Sequence, residues 1–252
     1  MRQKCYFCCM RIDVIPYASA IRPDLIRDRT VVVIDVLRAS SVMVTALANG
    51  ARAFIPVETV EAAYEIVREG SGDEFILAGE RDTQMIDGFH LGNSPMDYTP
   101  EKVKGKTIIL TTSNGTKALN MLTAANKVMI GAFLNIDALV NRLMEDSEVV
   151  FVCSGTNNNF SMDDAMCAAA ITDKLMQRKS IKMSDMALTL LKAYKSEEDN
   201  LRHLLRDSYH LNLLIRNGFE KDVDYCLQKN VYDIVPGMNK DRLINISERL
   251  PN

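Results

Sequence analysis

Two segments of this 252-residue chain repeat one pattern of strand, polar turn, helix and strand, and that repetition limits the possible folds more than any single motif. The first, from Thr30, reads T-V-V-V-I-D-V-L-R-A-S-S-V-M-V-T-A-L-A-N-G-A-R-A-F-I-P-V. The second, from Lys106, reads K-T-I-I-L-T-T-S-N-G-T-K-A-L-N-M-L-T-A-A-N-K-V-M-I-G-A-F. Val36 corresponds to Thr112 and Phe54 to Ile130, a constant offset of 76 residues. The parallel continues in Thr59–Arg68 against Asn135–Leu143, and in F-I-L-A-G-E-R against F-V-C-S-G-T. Self-similarity at this spacing points to two related α/β halves, residues 10–105 and 106–252, sharing one active-site cleft. Ligands of open parallel sheets bind at the carboxyl ends of the strands, so both polar clusters are expected on one edge.

The chain alternates short apolar runs with helical patterns, the signature of an α/β fold with a mostly parallel sheet flanked by helices. Strands are predicted at Arg11–Ile15, Thr30–Asp35, Ala53–Val57, Phe75–Ala78, Thr107–Leu110, Lys127–Ile130 and Glu148–Cys153, with a last one at Val231–Val235. Several are apolar throughout, as strands buried on both faces must be. Helices are predicted at Ser40–Ala48, at Val60–Arg68 capped by Thr59, at Thr116–Leu122, at Ile136–Met144 capped by Asn135, and at Met162–Gln177. Met183–Gln228 is helical throughout and reads as an insertion (183–228) that covers one sheet edge or forms an interface; Ser196–Asp199 would begin one of its helices and Gly218 end another. A homodimer is left open. The long loops Arg81–Lys104 and Gly155–Phe160 are where function tends to lie.

Composition narrows the partners. At 47% hydrophobic residues and a net charge of −3, with no basic stripe, the chain is not built to bind nucleic acid. No apolar run approaches the roughly 20 residues that cross a bilayer. The first residues lack the apolar core of a signal peptide, so no membrane association and a cytoplasmic location are expected. Of the six cysteines, Cys153 and Cys167 lie in apolar surroundings and read as buried small hydrophobes, and Cys226 sits on a helix. Cys5, Cys8 and Cys9 crowd the start, but no further ligands complete a zinc site there. Residues 1–9 therefore read as a disordered or extraneous extension before the strand that opens M-R-I-D-V-I at Met10.

Four polar clusters carry the chemistry. In the first, Asp35 ends a buried strand, where a carboxylate must be paired, hydrated or bound to a cation. Ser40 and Ser41 open a helix whose free amides favour an anion. The plainer reading makes Ser40 an N-cap and pairs Asp35 with Arg38. In the second, Thr111, Thr112, Ser113, Asn114, Gly115 and Thr116 pack four hydroxyls, an amide and a glycine into six residues. That is an anion cradle in which Gly115 allows positive φ or close approach. The third is L-A-G-E-R, holding Glu80 and Arg81, followed by G-F-H-L-G-N-S-P with His90, Asn93 and Ser94. The fourth is Ser154-Gly155-Thr156 followed by F-S-M-D-D, whose Asp163 and Asp164 suit Mg²⁺ as well as they suit a helix start.

Together V-V-V-I-D-V-L-R-A-S-S, L-A-G-E-R, G-F-H-L-G-N-S-P, T-T-S-N-G-T-K-A-L, G-A-F-L-N, C-S-G-T and F-S-M-D-D-A-M-C-A resemble the 2-phosphosulfolactate phosphatase family, as does the tail from S-Y-H-L. The resemblance runs from about Met10 to Pro236. It implies Mg²⁺-dependent hydrolysis of 2-phospho-3-sulfolactate to 3-sulfolactate and phosphate, as in coenzyme M biosynthesis, on an α/β fold outside the common phosphatase superfolds. Two positions depart from the family pattern, Ala169 and Leu211, each where a glycine is usual. Met183–Leu205 resembles it least.

Such a substrate carries a phosphate, a carboxylate and a sulfonate, so its site needs cations and oriented donors. Asp35, Arg38, Glu80 and Arg81 are the candidate catalytic residues. Asp35, Glu80, Asp163 and Asp164 are the candidate Mg²⁺ ligands. Ser40, Ser41, Asn93, Ser94, Thr112, Ser113, Asn114, Gly115, Thr116, Ser154, Gly155 and Thr156 are the candidate substrate-binding residues. Water activated by the metal is the preferred nucleophile and Asp35 the alternative. The D-x-D of haloacid-dehalogenase phosphatases is broken here by Leu37. His90 is either a general acid or a hydrogen-bonded loop residue; His203 reads as exposed and His210 as structural. Two other functions fit the clusters: a phosphatase of the same fold acting on another phosphorylated hydroxy acid, and a non-catalytic binder of small anions. The second would gain nothing from four acids near its site.

Overall fold

The unbroken apolar runs become strands covered on both faces. In the computed structural model, which describes residues 9–70, 75–113 and 115–247, the chain begins with β1 (Met10–Ile15) and the short α1 (Pro23–Ile26). The first repeated unit follows as β2 (Thr30–Ile34), α2 (Ala39–Ala48) and β3 (Ala53–Pro56). Then come α3 (Val60–Glu69), β4 (Phe75–Arg81), β5 (Gln84–Met85) and α4 (Pro100–Val103). The second unit is β6 (Thr107–Thr111), α5 (Gly115–Asn120) and β7 (Lys127–Gly131). After it run α6 (Ile136–Leu143), β8 (Glu148–Cys153), α7 (Met162–Met176) and β9 (Ile181–Met183). Four helices follow: α8 (Asp185–Lys195), α9 (Leu201–Leu204), α10 (Tyr209–Arg216) and α11 (Glu220–Cys226). The hairpin β10 (Pro236–Asn239) and β11 (Arg242–Asn245) closes the fold.

All strands join one sheet in the order β5-β4-β6-β3-β11-β10-β7-β2-β8-β1-β9. Two parallel groups, β4-β6-β3 and β7-β2-β8-β1-β9, are bridged by the hairpin, which runs antiparallel to β3 and to β7. The repeated units interleave: β2 lies beside β7, and β3 beside β6. Each unit thus places one strand in each parallel group. Along β2, Val31 and Val33 face a core built with α2 and α5, while Val32 and Ile34 face one built with α6 and α7. This two-faced burial follows from the period-2 alternation of side chains on a strand with layers on both sides.

Local readings held where one element's own chemistry decides. Thr59 Oγ1 accepts from Ala62 N at 3.1 Å and caps α3, and Gly218 follows α10 with φ +86°. They failed where distant segments compete. Asn135 does not cap α6; its side chain accepts from Ala132 N and donates to Ile130 O and Ile234 O. Val231–Val235 forms no strand, because Tyr232 N and Ile234 O are taken by the Leu134–Asn135 turn. The strand pairing begins at Pro236 instead. Ser196–Asp199 starts no helix; it is the turn after α8, and Asn200 caps α9. Cys153, Cys167 and Cys226 are buried, and Cys5 and Cys8 lie outside the described residues. Among the described residues, no helix is long and apolar enough to cross a membrane.

Candidate functional site

The carboxyl ends of β2, β4, β6 and β8 bring the four polar clusters together. Asp35 leaves β2 and turns into α2, where its Oδ1 accepts from Ala39 N at 3.2 Å. The positive end of the helix is thus spent on a carboxylate of the same chain. Ser40 Oγ accepts from Asp35 N at 2.8 Å, and Ser41 Oγ donates to Val36 O at 2.8 Å. Both hydroxyls serve their own turn rather than a ligand. Gly115 lets the second cluster reach the first: a Cβ there would stand 2.9 Å from Asp35 Oδ2 and 3.0 Å from Ala39 Cβ. Asn114 lies outside the described residues.

The other clusters lock onto these two. Glu80 Oε1 accepts from Ser113 N at 2.8 Å and Oε2 from Thr83 N at 3.1 Å. Thr112 and Thr116 are cross-bonded, each hydroxyl accepting from the other's amide. Asp164 Oδ1 accepts from Val36 N at 2.8 Å and Oδ2 from Gly155 N at 3.0 Å, which ties β8 to the first cluster. Gly155 has φ +73°, and a Cβ there would lie 2.4 Å from Asn159 O. Asp163 Oδ1 accepts from Ser161 Oγ at 2.6 Å, while its Oδ2 is buried and has no hydrogen-bond partner among the described residues. That oxygen stands 3.8 Å from His210 Nδ1, an ion-pair distance.

A cavity of about 320 Å³ opens where the clusters meet. Of the candidates from sequence, Asp35, Arg38, Glu80, Asn93, Thr112, Ser113 and Thr156 line it. Ser40, Ser41, Ser94, Gly115, Thr116, Ser154, Gly155, Asp163 and Asp164 stand behind the lining or beside it. Arg81 is turned away, donating to Glu80 O, Glu58 O and Thr111 Oγ1. His90 is exposed and accepts from Leu77 N through Nδ1, so it is the hydrogen-bonded loop histidine. Arg38 does not pair with Asp35. Only 2% exposed, it donates to Asp222 Oδ2 at 2.6 Å and to Thr83 O at 2.9 Å, and stacks 4.0 Å over the Phe219 ring. Asp222 also accepts from Ser94 Oγ at 2.7 Å.

Sequence reasoning missed the far wall. Tyr209, His210, Leu213, Leu214 and Asn217 line the cavity from α10 and the residue just beyond it. Their spacing of i, i+4 and i+8 is one helical face. The string S-Y-H-L already contained His210, but nothing in it told which way a lone histidine would face.

Crowding of acids sets the electrostatics. Burial pushes Asp35 up to about 6; His210 and the Ala39 amide oppose that, and Asp163 and Glu80 add to it. Burial, then Asp163 and Asp35, holds Asp164 well above the usual carboxylate range. Burial works against a charged His210, but Asp163 and then Asp35 outweigh it and hold the imidazole above its ordinary value. Burial likewise pushes the Cys226 thiol up to about 12, so it is no nucleophile at neutral pH. Among the described residues, no three His, Cys, Asp or Glu side chains converge as a ready-made metal cage.

Comparison with known proteins accounts for most of the chain. The family model described as 2-phosphosulpholactate phosphatase matches residues 16–241. Three similar proteins each carry the name probable 2-phosphosulfolactate phosphatase. That of Clostridium novyi (strain NT) is 42% identical over 228 residues, covering 90% of this chain and 96% of its own. That of Caldanaerobacter subterraneus subsp. tengcongensis is 43% identical over 224 residues, covering 88% and 92%. That of Clostridium perfringens (strain SM101 / Type A) is 44% identical over 229 residues, covering 90% and 92%.

Proposed function

The chain belongs to the 2-phosphosulfolactate phosphatase family, and from that premise we propose that it is a Mg²⁺-dependent phosphoric monoester hydrolase releasing phosphate and 3-sulfolactate from 2-phospho-3-sulfolactate. The observation that carries this is the make-up of the cavity: Asp35, Glu80 and Asp82 face it together with Arg38 and His210. A substrate with three anionic groups entering alone would meet three carboxylates and two cations. A divalent cation reverses that balance. A plain anion-binding protein would have no reason to put those acids there.

The residues present fit Mg²⁺ as an ion held by one or two carboxylates, with water and substrate oxygens completing its shell. Asp35 faces the cavity and would hold the ion; Asp163, behind the lining with one oxygen that no described residue hydrogen-bonds, would be its second ligand. Asp164 and Glu80 have both oxygens committed to backbone amides and act as braces for the turns. When bound, the ion supplies charge neutralisation at the phosphoryl oxygens and lowers the pKa of water. Arg38 neutralises an anionic group of the substrate, with one part of its guanidinium fixed by Asp222 and Thr83. His210, which lines the cavity 3.8 Å from Asp163 Oδ2, would give its proton to the leaving alkoxide as the P–O ester bond breaks.

The two departures from the family pattern lie away from the cavity. Ala169 and Leu211 are buried in the core packed by α7 and α10, and neither lines the cavity. They alter packing, not the surface a substrate touches. A phosphate-release screen over phosphorylated hydroxy acids, with Mg²⁺ or with excess chelator, tests the proposal. The expected result is fastest release from 2-phospho-3-sulfolactate and none in chelator. Full turnover in chelator would remove the metal, and a faster alternative substrate would replace the named one.

A further inference from the structure

The turn between β4 and β5 is strained, and each polar group of its second residue reaches a different part of the site. Asp82 and Thr83 form a two-residue hairpin loop, with Arg81 opposite Gln84 in the ladder. Their φ values are +51° and +71°. Two-residue loops with both central residues at positive φ are normally filled by Asn-Gly or Asp-Gly, because the second position strongly favours glycine. Here the pattern reads D-T. A β-branched residue in the left-handed region is among the least comfortable in that conformation.

Thr83 lines the cavity, and its groups are fully engaged. Its N–H donates to Glu80 Oε2 at 3.1 Å. Its carbonyl accepts from Arg38 Nη2 at 2.9 Å. Its hydroxyl accepts from Asn217 Nδ2 at 2.8 Å. The turn therefore connects the acid at the end of β4, the arginine before α2 and the end of the α10 wall. Glycine would suit the backbone better, but it could not hold Asn217. Strain held by its surroundings at a site marks a position where geometry outweighs local stability.

We propose that Thr83 is a positioning residue, retained in a conformation that favours glycine because its hydroxyl latches the α10 wall to the hairpin that orients Arg38. The proposal rests on the site reading above. It is tested with Thr83→Gly, Thr83→Ser, Asn217→Ala and Arg38→Ala in the full chain, measuring Tm and kcat/KM on the best substrate. Thr83→Gly should melt higher, by roughly 2 °C, as the strain is relieved. It should also lose about ten-fold in kcat/KM, chiefly through KM, as the cavity wall loosens. Thr83→Ser keeps the hydroxyl without the branching methyl and should stay within about two-fold of the parent. Asn217→Ala should lose about as much activity as Thr83→Gly without the gain in Tm. A Thr83→Gly chain that loses Tm and activity together would make the residue merely structural and overturn the proposal. Unchanged kcat/KM in Thr83→Gly would overturn it as well. Arg38→Ala then separates the two readings: if it loses activity the site stands without the latch, and if it does not the site itself is misplaced. Should the parent chain hydrolyse none of the substrates, affinity for inorganic phosphate is the readout, and a Thr83→Gly value equal to the parent's overturns the latch.

Discussion

The strand-end floor of the cavity and its helical wall are built in opposite ways. On the floor, the polar groups satisfy one another. Ser113 N–H goes to Glu80, Ala39 N–H to Asp35, and the amides of Val36 and Gly155 to Asp164. The helical side instead supplies the counter-charges: His210 of α10 beside Asp163, and Asp222 of α11 behind the wall against Arg38, which stacks on Phe219. A dense cluster of hydroxyls and acids is therefore not in itself a binding surface. Much of it holds the turns in shape, and the groups free to act are those whose partners come from the other region.

This contrast is open to breakage, first on the floor. Asp35→Asn should cost about 1000-fold in kcat/KM, the upper range for removing one preorganised electrostatic group. The same change should raise Tm in the absence of divalent cation. Asp35 has a folded pKa of about 6, above its ordinary 3.8, so its favourable contribution holds below 3.8 and is lost as pH rises through 6. The gain from Asp35→Asn should thus be larger at pH 8 than at pH 5, by thermal melts at both. A fall in Tm at pH 8 would mean that Asp35 is a structural anchor like Asp164.

The wall comes next. His210→Asn should cost about 100-fold in kcat, the scale of general acid catalysis. In the parent chain, activity should fall at low pH as Asp35 takes up a proton, at a pH below the value of about 6 that it has without the ion, because a cation favours the charged carboxylate. It should fall again at high pH as His210, held above its ordinary value by Asp163, gives its proton up. A pH profile of His210→Asn that keeps the alkaline limb would return the histidine to a packing role.

Arg38 joins the two regions, and its loss should show in both. Arg38→Ala should lower kcat/KM about 30-fold, equivalent to about 2 kcal/mol. It should also destabilise the fold by about 3 kcal/mol, because Asp222, 6% exposed, is left as a buried unpaired charge. Arg38→Lys should restore only part, since the planar fork that serves Asp222 and Thr83 together is lost. Denaturant titration and steady-state kinetics on the same samples measure both effects. Normal kcat/KM with reduced stability would make the arginine a brace alone.

The smallest effect belongs outside both regions. A chain beginning at Met10 should keep its Tm and its activity, and the full chain should contain no zinc. Met10 is fully buried in β1 and donates to Ser180 O, so the sheet has its own start there. Stoichiometric zinc in the full chain, lost together with stability on truncation, would restore the cysteine-rich segment to the fold.

How far the sequence could be read followed the range of the forces involved. The buried runs Thr30–Ile34, Thr107–Thr111 and Glu148–Cys153 were legible because a strand covered on both faces is apolar along its interior, with polar residues only at its ends. The Thr59 cap was legible because its partner is three residues away. Asn135 was misread because its amide has competing partners at Ile130 and at Ile234, the latter 99 residues distant. Asp222 and Thr83 were not singled out at all. A lone acid on a helix and a threonine in a loop carry no local mark of what they will face.

By itself the sequence determined the α/β class, the strand-ending polar clusters and the identity of the acids among them, since burial, periodicity and turn chemistry are written in neighbouring residues. The tertiary structure alone decided which of those acids keep a free oxygen and that Arg38 pairs with Asp222 rather than Asp35. It also turned Arg81 away from the cavity and made the face of α10 its wall. Those choices depend on which distant groups arrive within a few ångströms of one another, and a charge or hydroxyl binds whichever partner the packing delivers.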